Sequence, residues 1–284
     1  MGNGIILSFS NLIFLRSNET LLSQKNNLAD KRSYWAKHKK QHEGNDDERP
    51  EKKIHVPISD EAKHKFETGQ VILIDKPLHW TSFDIVRKIR NTIRIKKVGH
   101  AGTLDPLATG LLIVCTGKFT KKINEYMAQE KEYTGSFTLG ATTPTYDRES
   151  TAEDFKDTTA ITPEQVHAAT KNFIGELQQI PPIYSAIKKD GVALYELARR
   201  GVDVELKPRN VFIKEFEITA VEMPVVYFRV VCSTGTYIRS LANDFGAQLG
   251  CGGYLSELIR TRIGEYNVDN AVGIEEFIKG VSGE

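Results

Sequence analysis

Two rhythms of hydrophobic and polar residues alternate along most of this chain, one of period two and one of period 3.6. Val71 to Ile74 (VILI) is an apolar run that predicts a buried strand ending in Asp75-Lys76-Pro77. Thr81 with Asp84 three residues on predicts a helix start by a capping box, and Trp80 stands where it can staple onto Ile85. Phe83, Val86, Ile89 and Ile93 then recur near helical spacing, which predicts an inward face with the basic residues mostly on the other. Tyr133 to Leu139 alternates as a strand, and Thr162-Pro163-x-Gln165 predicts a second capped helix with proline at its first position, closing at Gly175. Val225 to Cys232 is β-rich, and the segment after Gly235 predicts a helix with Tyr237, Ile238, Leu241 and Phe245 inward, ending at Gly250. The elements interleave without a regular βαβ rhythm and without an internal repeat. The expected class is therefore α/β of the α+β type, a mixed and largely antiparallel sheet flanked by helices.

The first 58 residues do not share these rhythms. Gly4 to Leu15 is apolar but too short to span a bilayer, and it has neither a basic leader nor a small-residue cleavage site. Lys31 to Lys53 carries eight basic and five acidic residues among 23, too polar for a core. Residues 1–58 are thus expected to form a flexible N-terminal extension, and residues 59–284 a folded domain. With 40% hydrophobic and 26% charged residues over 284 positions, the composition excludes a mainly disordered chain and a polytopic membrane protein. The three cysteines, Cys115, Cys232 and Cys251, have no C-x-x-C spacing, so neither a disulfide framework nor a zinc knuckle is expected, and a reducing cytoplasmic setting fits. The net charge of +1 conceals clusters: Arg87 to Lys97 holds six basic residues and no acid. Such clusters read either as solvated helix faces or as one positive face for a polyanion.

The densest candidate for chemistry is Gly99 to Gly117, GHAGTLDPLATGLLIVCTG. Its glycines bracket a loop with a single carboxylate, Asp105, before an apolar run. A rigid scaffold there would aim an exposed acid, although Asp-Pro is also a common turn former. Tyr133, Arg239 and His100 stand in other Gly-marked segments and add only weakly by themselves. There is no phosphate-binding G-x-x-x-x-G-K-[ST], no G-x-G-x-x-G, no H-E-x-x-H, no acidic magnesium motif and no G-x-S-x-G. An enzyme with this sequence would use side-chain chemistry without metal or cofactor, with a carboxylate nucleophile foremost.

GHAGTLDPLATGLL closely resembles the catalytic motif of the TruB family of tRNA pseudouridine(55) synthases. DKPLHWTS (75–82) resembles the family's Lys-Pro motif, and KEYTGSFTLGATTPTYD (131–147) its tyrosine motif. PPIYSAIKKDGVALYELARRG (181–201), CSTGTYIRSLANDFGAQLG and LIRTRIG complete a collinear set over about two-thirds of the chain. The resemblance implies the pseudouridine synthase fold, a catalytic domain over residues 59–284, and isomerisation of uridine 55 in the TΨC loop of tRNA by base flipping. Asp105 would be the catalytic nucleophile. Tyr133 would stack on the flipped base, and Arg239 would pair with Asp105 and keep it ionised. His100, Tyr237 and Leu258 would contact RNA or the base, and Lys76 and Pro77 would brace the active-site loop. It further implies no cofactor, no metal, the tRNA T-arm as partner, no membrane, and a monomer.

Two departures stand out. His79 occupies a turn position where the family usually has glycine, and with about twenty residues after Gly264 the C-terminal RNA-binding PUA domain seen in many relatives is not expected. The basic Arg87–Lys97 helix is a candidate for the missing phosphate contacts. Competing readings are a tRNA-binding or tRNA-folding protein of the same fold that acts without catalysis, a guide-directed enzyme acting on ribosomal RNA, and a phospho-acceptor role for Asp105.

Overall fold

The apolar run VILI lies within a strand, β1 (Val71–Lys76), in a computed structural model that describes residues 58–185, 187–189, 191–202 and 204–282. The extension expected over residues 1–58 therefore lies, except for Ile58, outside the described residues. The chain divides into two compact units, one of residues up to Tyr126 together with those from Tyr266, the other Met127–Glu265.

In the first unit, Ser59 caps α1 (Asp60–Thr68) and β1 follows. Thr81 then opens α2 (Ser82–Ile93) by a capping box made in both directions with Asp84. β2 (Val98–His100), β3 (Ala108–Thr116) and α3 (Ile123–Ala128) complete the segment. β3 pairs antiparallel with both β1 and β2, and every residue of β3 is buried. Ile85, Val86, Ile89 and Ile93 of α2 pack with Ile72, Ile74, Leu112 and Val114 into one core, against which Trp80 lies as the staple implied. Phe83 does not join it; the side chain is 58% exposed, because the buried stripe runs through Ile85 rather than through position 83. The helix also stops sooner than its basic sequence suggested. Arg94 turns left-handed (φ 53°) directly after Ile93, so residues 94–97 are not helical.

The second unit opens with β4 (Lys131–Leu139), followed by α4 (Pro163–Ala169), whose Thr162–Gln165 capping box forms as expected. A 3-10 turn carries the chain from Thr170 to Phe173, and β5 (Gly175–Gln179) begins at the glycine. A small hairpin, β6 (Lys188–Lys189) with β7 (Val192–Ala193), precedes α5 (Leu194–Arg199). Then come β8 (Arg209–Glu222), β9 (Val225–Cys232), α6 (Ile238–Gln248) and β10 (Gly253–Ile263). The sheet order β10-β4-β9-β8-β5 is antiparallel throughout. Phe245 of α6 sits among Phe137, Phe216 and Phe173 with ring centroids 5.4–5.9 Å apart, which fixes the helix on the sheet. Gly246 allows the close approach, since a Cβ there would lie 2.1 Å from the Gly253 nitrogen. The chain returns to the first unit with β11 (Tyr266–Asn267), β12 (Val272–Gly273), which runs parallel to β1, and α7 (Ile274–Ser282). The expected fold class, mixed and mostly antiparallel with flanking helices, is the one observed.

His79 adopts φ 65°, the left-handed conformation that glycine takes without strain. Its N–H donates to the Pro106 carbonyl at 2.8 Å, so the strained residue is held in place. A left-handed non-glycine costs about 1–2 kcal/mol, and glycine returns about 0.5–1 kcal/mol of that as backbone entropy. His79→Gly should therefore stabilise the protein by about 0.5–1 kcal/mol, read as a higher Tm in a thermal melt.

Candidate active site

Asp105 lies on the seven-residue loop between β2 and β3, a hairpin whose ladder pairs His100 with Val114. The loop closes on a turn in which the Ala108 N–H donates to the Asp105 carbonyl at 3.0 Å, with Pro106 pre-set in the position that follows. Both neighbours of Asp105 are tied to the segment that carries Lys76 and Pro77. The Leu104 N–H donates to Ser82 Oγ at 2.9 Å, Ser82 Oγ donates to the Leu104 carbonyl at 3.2 Å, and Pro106 accepts from His79. Lys76 is fully buried, and its ammonium donates to the carbonyls of Pro77 at 2.9 Å and Trp80 at 2.6 Å, closing the 77–80 turn from inside. The backbone under a half-buried Asp105 is thus fixed on both sides. His100 ends β2, half-buried, at the start of the same loop.

The other expected residues share the second unit. Tyr133 of β4 faces Arg260 of β10, and Gly135 faces Leu258. Alternation along paired strands places Tyr133, Leu258 and Arg260 on one side of this ladder. Tyr133 and Leu258 are each 9% exposed. Gly135 is required by contact rather than by φ, since a Cβ would lie 2.1 Å from the Glu257 carbonyl oxygen. Arg260 is 1% exposed and was not singled out from the sequence, although it lies in the quoted LIRTRIG.

Arg239 is the second residue of α6 and is 4% exposed. Its Nη1 donates to the Thr145 carbonyl at 3.3 Å and its Nη2 to that of Tyr184 at 3.0 Å. Its Nε is 3.6 Å from Oδ2 of Asp147, an ion pair just beyond hydrogen-bond length. Asp147 is itself 5% exposed, and its Oδ1 accepts from Thr145 Oγ1 at 2.6 Å and from the Glu149 N–H at 2.9 Å, which turns Oδ2 toward the arginine. Asp147 was quoted within the tyrosine motif without a role; the hint in the sequence was its setting, TTPTYD, rich in residues that bond their own backbone. Tyr237 precedes α6 half-buried rather than on its inward face. The Gln179 side chain binds both the N–H and the C=O of Tyr237, at 2.8 and 3.0 Å, and Arg209 lies 5.6 Å from its ring.

Lys131, two residues before Tyr133, is 5% exposed and donates from Nζ to the carbonyls of Met127 and Gln129. Burial first, then the neighbouring Arg260 charge, push its pKa from 10.5 down to about 8. The unfolded chain therefore binds more protons between pH 8 and 10.5, so this group's contribution to stability rises with pH across that window. Wild type should gain about 2–3 kcal/mol on Lys131→Met between those limits, as measured by urea unfolding at each pH.

Among the described residues there is no group of His, Cys, Asp and Glu able to hold a metal ion, and no helix long and apolar enough to cross a membrane. Residues 90–238 match the family model for TruB family pseudouridylate synthase (N-terminal domain), and residues 239–282 that for the tRNA pseudouridylate synthase B C-terminal domain. The chain is 55% identical over 216 residues to the tRNA pseudouridine synthase B of Flavobacterium johnsoniae, covering 74% of this chain and 94% of that protein. It is 50% identical over 218 residues to the protein of the same name from Phocaeicola vulgatus, covering 75% and 93%. Among solved structures it is similar to a chain of a Cbf5-Nop10-Gar1 complex, with TM-score 0.60, 29% identity and coverage of 82% of this chain and 61% of that one. It is likewise similar to a chain of an H/ACA RNP bound to a substrate RNA containing 2′-deoxyuridine, with TM-score 0.57, 26% identity and coverage of 82% and 60%. This chain thus spans about three-fifths of those two. The fold is that of the pseudouridine synthases. Within that class, the chain belongs to the TruB family of pseudouridylate synthases, as its motifs implied.

Proposed function

We propose that this protein is a tRNA pseudouridine synthase that isomerises uridine 55 of the TΨC loop, with Asp105 as its nucleophile. The carrying observation is the Asp105 loop, whose residues on either side are hydrogen-bonded to His79 and the buried Ser82 of the Lys76–Ser82 segment, in a chain 55% identical to a tRNA pseudouridine synthase B. A uridine stacked in a folded loop hides its glycosidic bond, so the base must be extruded and held. Tyr133 supplies the ring for it, and a stacked base contributes about 1–3 kcal/mol toward the unstacking cost. Leu258 packs against the same base, and His100 and Tyr237 contact the RNA. Asp105, charged, drives cleavage of the C1′–N1 bond. The uracil turns, C1′ bonds to C5, the C5 proton is lost, and N1 takes up a proton. Arg239 is the cation we propose to act with the Asp105 carboxylate in the reaction. No bond order or oxidation state changes on balance, so the reaction needs no energy-rich or redox cofactor. The partner is the T-arm of tRNA, the protein works as a monomer in the cytoplasm, and residues 59–284 form the catalytic part.

The test is release of tritium from a tRNA transcript labelled at uridine C5. One equivalent per tRNA is expected, falling to none when position 55 is cytidine. Tight T-arm binding with no release would replace this reading with that of a tRNA-binding or tRNA-folding protein.

A further inference from the structure

The outer side of α2 carries a surface cavity of about 260 Å³ lined by His79, Trp80, Asp84, Arg87, Lys88 and Asn91. It belongs wholly to the first unit, and its lining side chains are not those expected in catalysis. Positions 84, 87, 88 and 91 lie on one face of the helix, opposite the buried stripe, and Trp80 and His79 close its N-terminal end. The volume is below the roughly 300–1,000 Å³ of pockets that enclose a drug-sized ligand, and suits one planar ring with the edge of an attached phosphate.

Each lining group has a chemistry that such a ligand uses. The indole of Trp80 is half-buried against the core, so its orientation is fixed before anything binds. Asn91 offers a donor and an acceptor to a base edge. Asp84 is already engaged, accepting from Thr81 N and Oγ1 at 3.1 and 2.6 Å and pairing with Arg87 at 2.6 Å. Its negative charge is thereby offset, and Lys88 leaves the cavity with net positive charge. Phe83, 58% exposed, stands one turn before Arg87 on the same flank, an aromatic interleaved with cations as on nucleic-acid-binding faces. The second observation is strain: His79 is held left-handed where glycine would fit without strain, and a residue kept in such a conformation points to a use for its side chain.

We infer that His79, Trp80, Lys88 and Asn91 form a nucleotide subsite, distinct from the target-base site, in which a base lies on the Trp80 ring and its phosphate meets Lys88. That the nucleotide belongs to a bound RNA rests on the proposed function; a free nucleoside monophosphate offers the same ring and phosphate.

The probe is Trp80 fluorescence in full-length protein with Trp35, the other tryptophan, replaced by phenylalanine. A T-arm RNA hairpin and adenosine 5′-monophosphate are titrated separately, with tritium release from labelled tRNA measured alongside. The RNA should quench Trp80, with an affinity that falls steeply with salt. Lys88→Gln should weaken hairpin binding about threefold to tenfold and reduce the log–log salt slope by about 0.7–0.9, one phosphate contact. His79→Gly should weaken binding several-fold while raising Tm, a combination that misfolding cannot produce. Quenching by the monophosphate but not by the hairpin would assign the site to a free nucleotide. Tritium release with no Trp80 response to either probe, and an unaltered Kd and salt slope in Lys88→Gln, would overturn the subsite and leave the synthase reading intact. Quenching by RNA without tritium release would keep the subsite and remove the synthase reading, and no response with no release would remove both.

Discussion

Asp105→Asn should lower tritium release by about 10⁴-fold or more, the scale of loss when a covalent nucleophile is removed. T-arm affinity should stay within about threefold. The structural reason for this separation is that the loop is held by backbone groups. The turn is closed from the Asp105 carbonyl, and its flanks are anchored through Leu104 and Pro106. These bonds do not use the carboxylate, so an isosteric amide keeps all of them. Asp105→Glu supplies the complementary test. It keeps the charge and displaces it by one methylene, and a displacement of about 1 Å costs on the order of 10²-fold when reacting groups must be aligned. The expected order is wild type, then Asp105→Glu, then Asp105→Asn. An asparagine variant that retained more than one per cent of wild-type release would remove Asp105 from the role of nucleophile.

How far this arrangement could be read from the sequence depended on where the deciding contacts lie. Local signals were legible: the Thr81–Asp84 and Thr162–Gln165 capping boxes form as written, because a cap is settled within four residues. β1, β4 and β9 were legible because their apolar periodicity is unbroken. β10 was not. It places the fully buried Arg260 and the charged Glu257 and Arg262 in a strand, so its period is hidden by residues whose burial depends on distant partners. β8 was obscured in the same way by Lys214, Glu215 and Glu217 on its exposed side. Phe83 misled for the opposite reason, since an aromatic at helical spacing reads as core, and only the position of Ile85 against β1 and β3 shows that the stripe passes beside it. At the site, the motif pointed to Asp105 and to Arg239 but not to what holds the arginine. Asp147 is 92 positions earlier in the chain, and no periodicity connects the two.

That long-range pair carries the second large prediction. Asp147→Asn should destabilise the protein by about 3–5 kcal/mol, the scale for removing one partner of a buried ion pair. The amide can keep the Oδ1 bonds from Thr145 and Glu149, but it turns an uncharged group, and in one orientation a donor, toward Arg239 Nε. The carbonyls of Thr145 and Tyr184 still hold the terminal nitrogens of Arg239, while its Nε loses the Asp147 charge. If the penalty comes from the lost Asp147–Arg239 attraction, removing the cation as well should recover part of it. Asp147→Asn with Arg239→Met should therefore be less destabilised than the sum of the two single variants, by about 2 kcal/mol. Catalysis should separate from stability in this cycle. Tritium release should fall about 10²-fold in Asp147→Asn at a temperature where the variant is folded, as a loss in kcat, because the arginine proposed to act with Asp105 loses the partner that positions it. Affinity for the T-arm should change little, since neither side chain is exposed. Additive stabilities would mean that the pair is not coupled, and a folded Asp147→Asn with wild-type kcat would mean that Asp147 does not position Arg239 for the reaction.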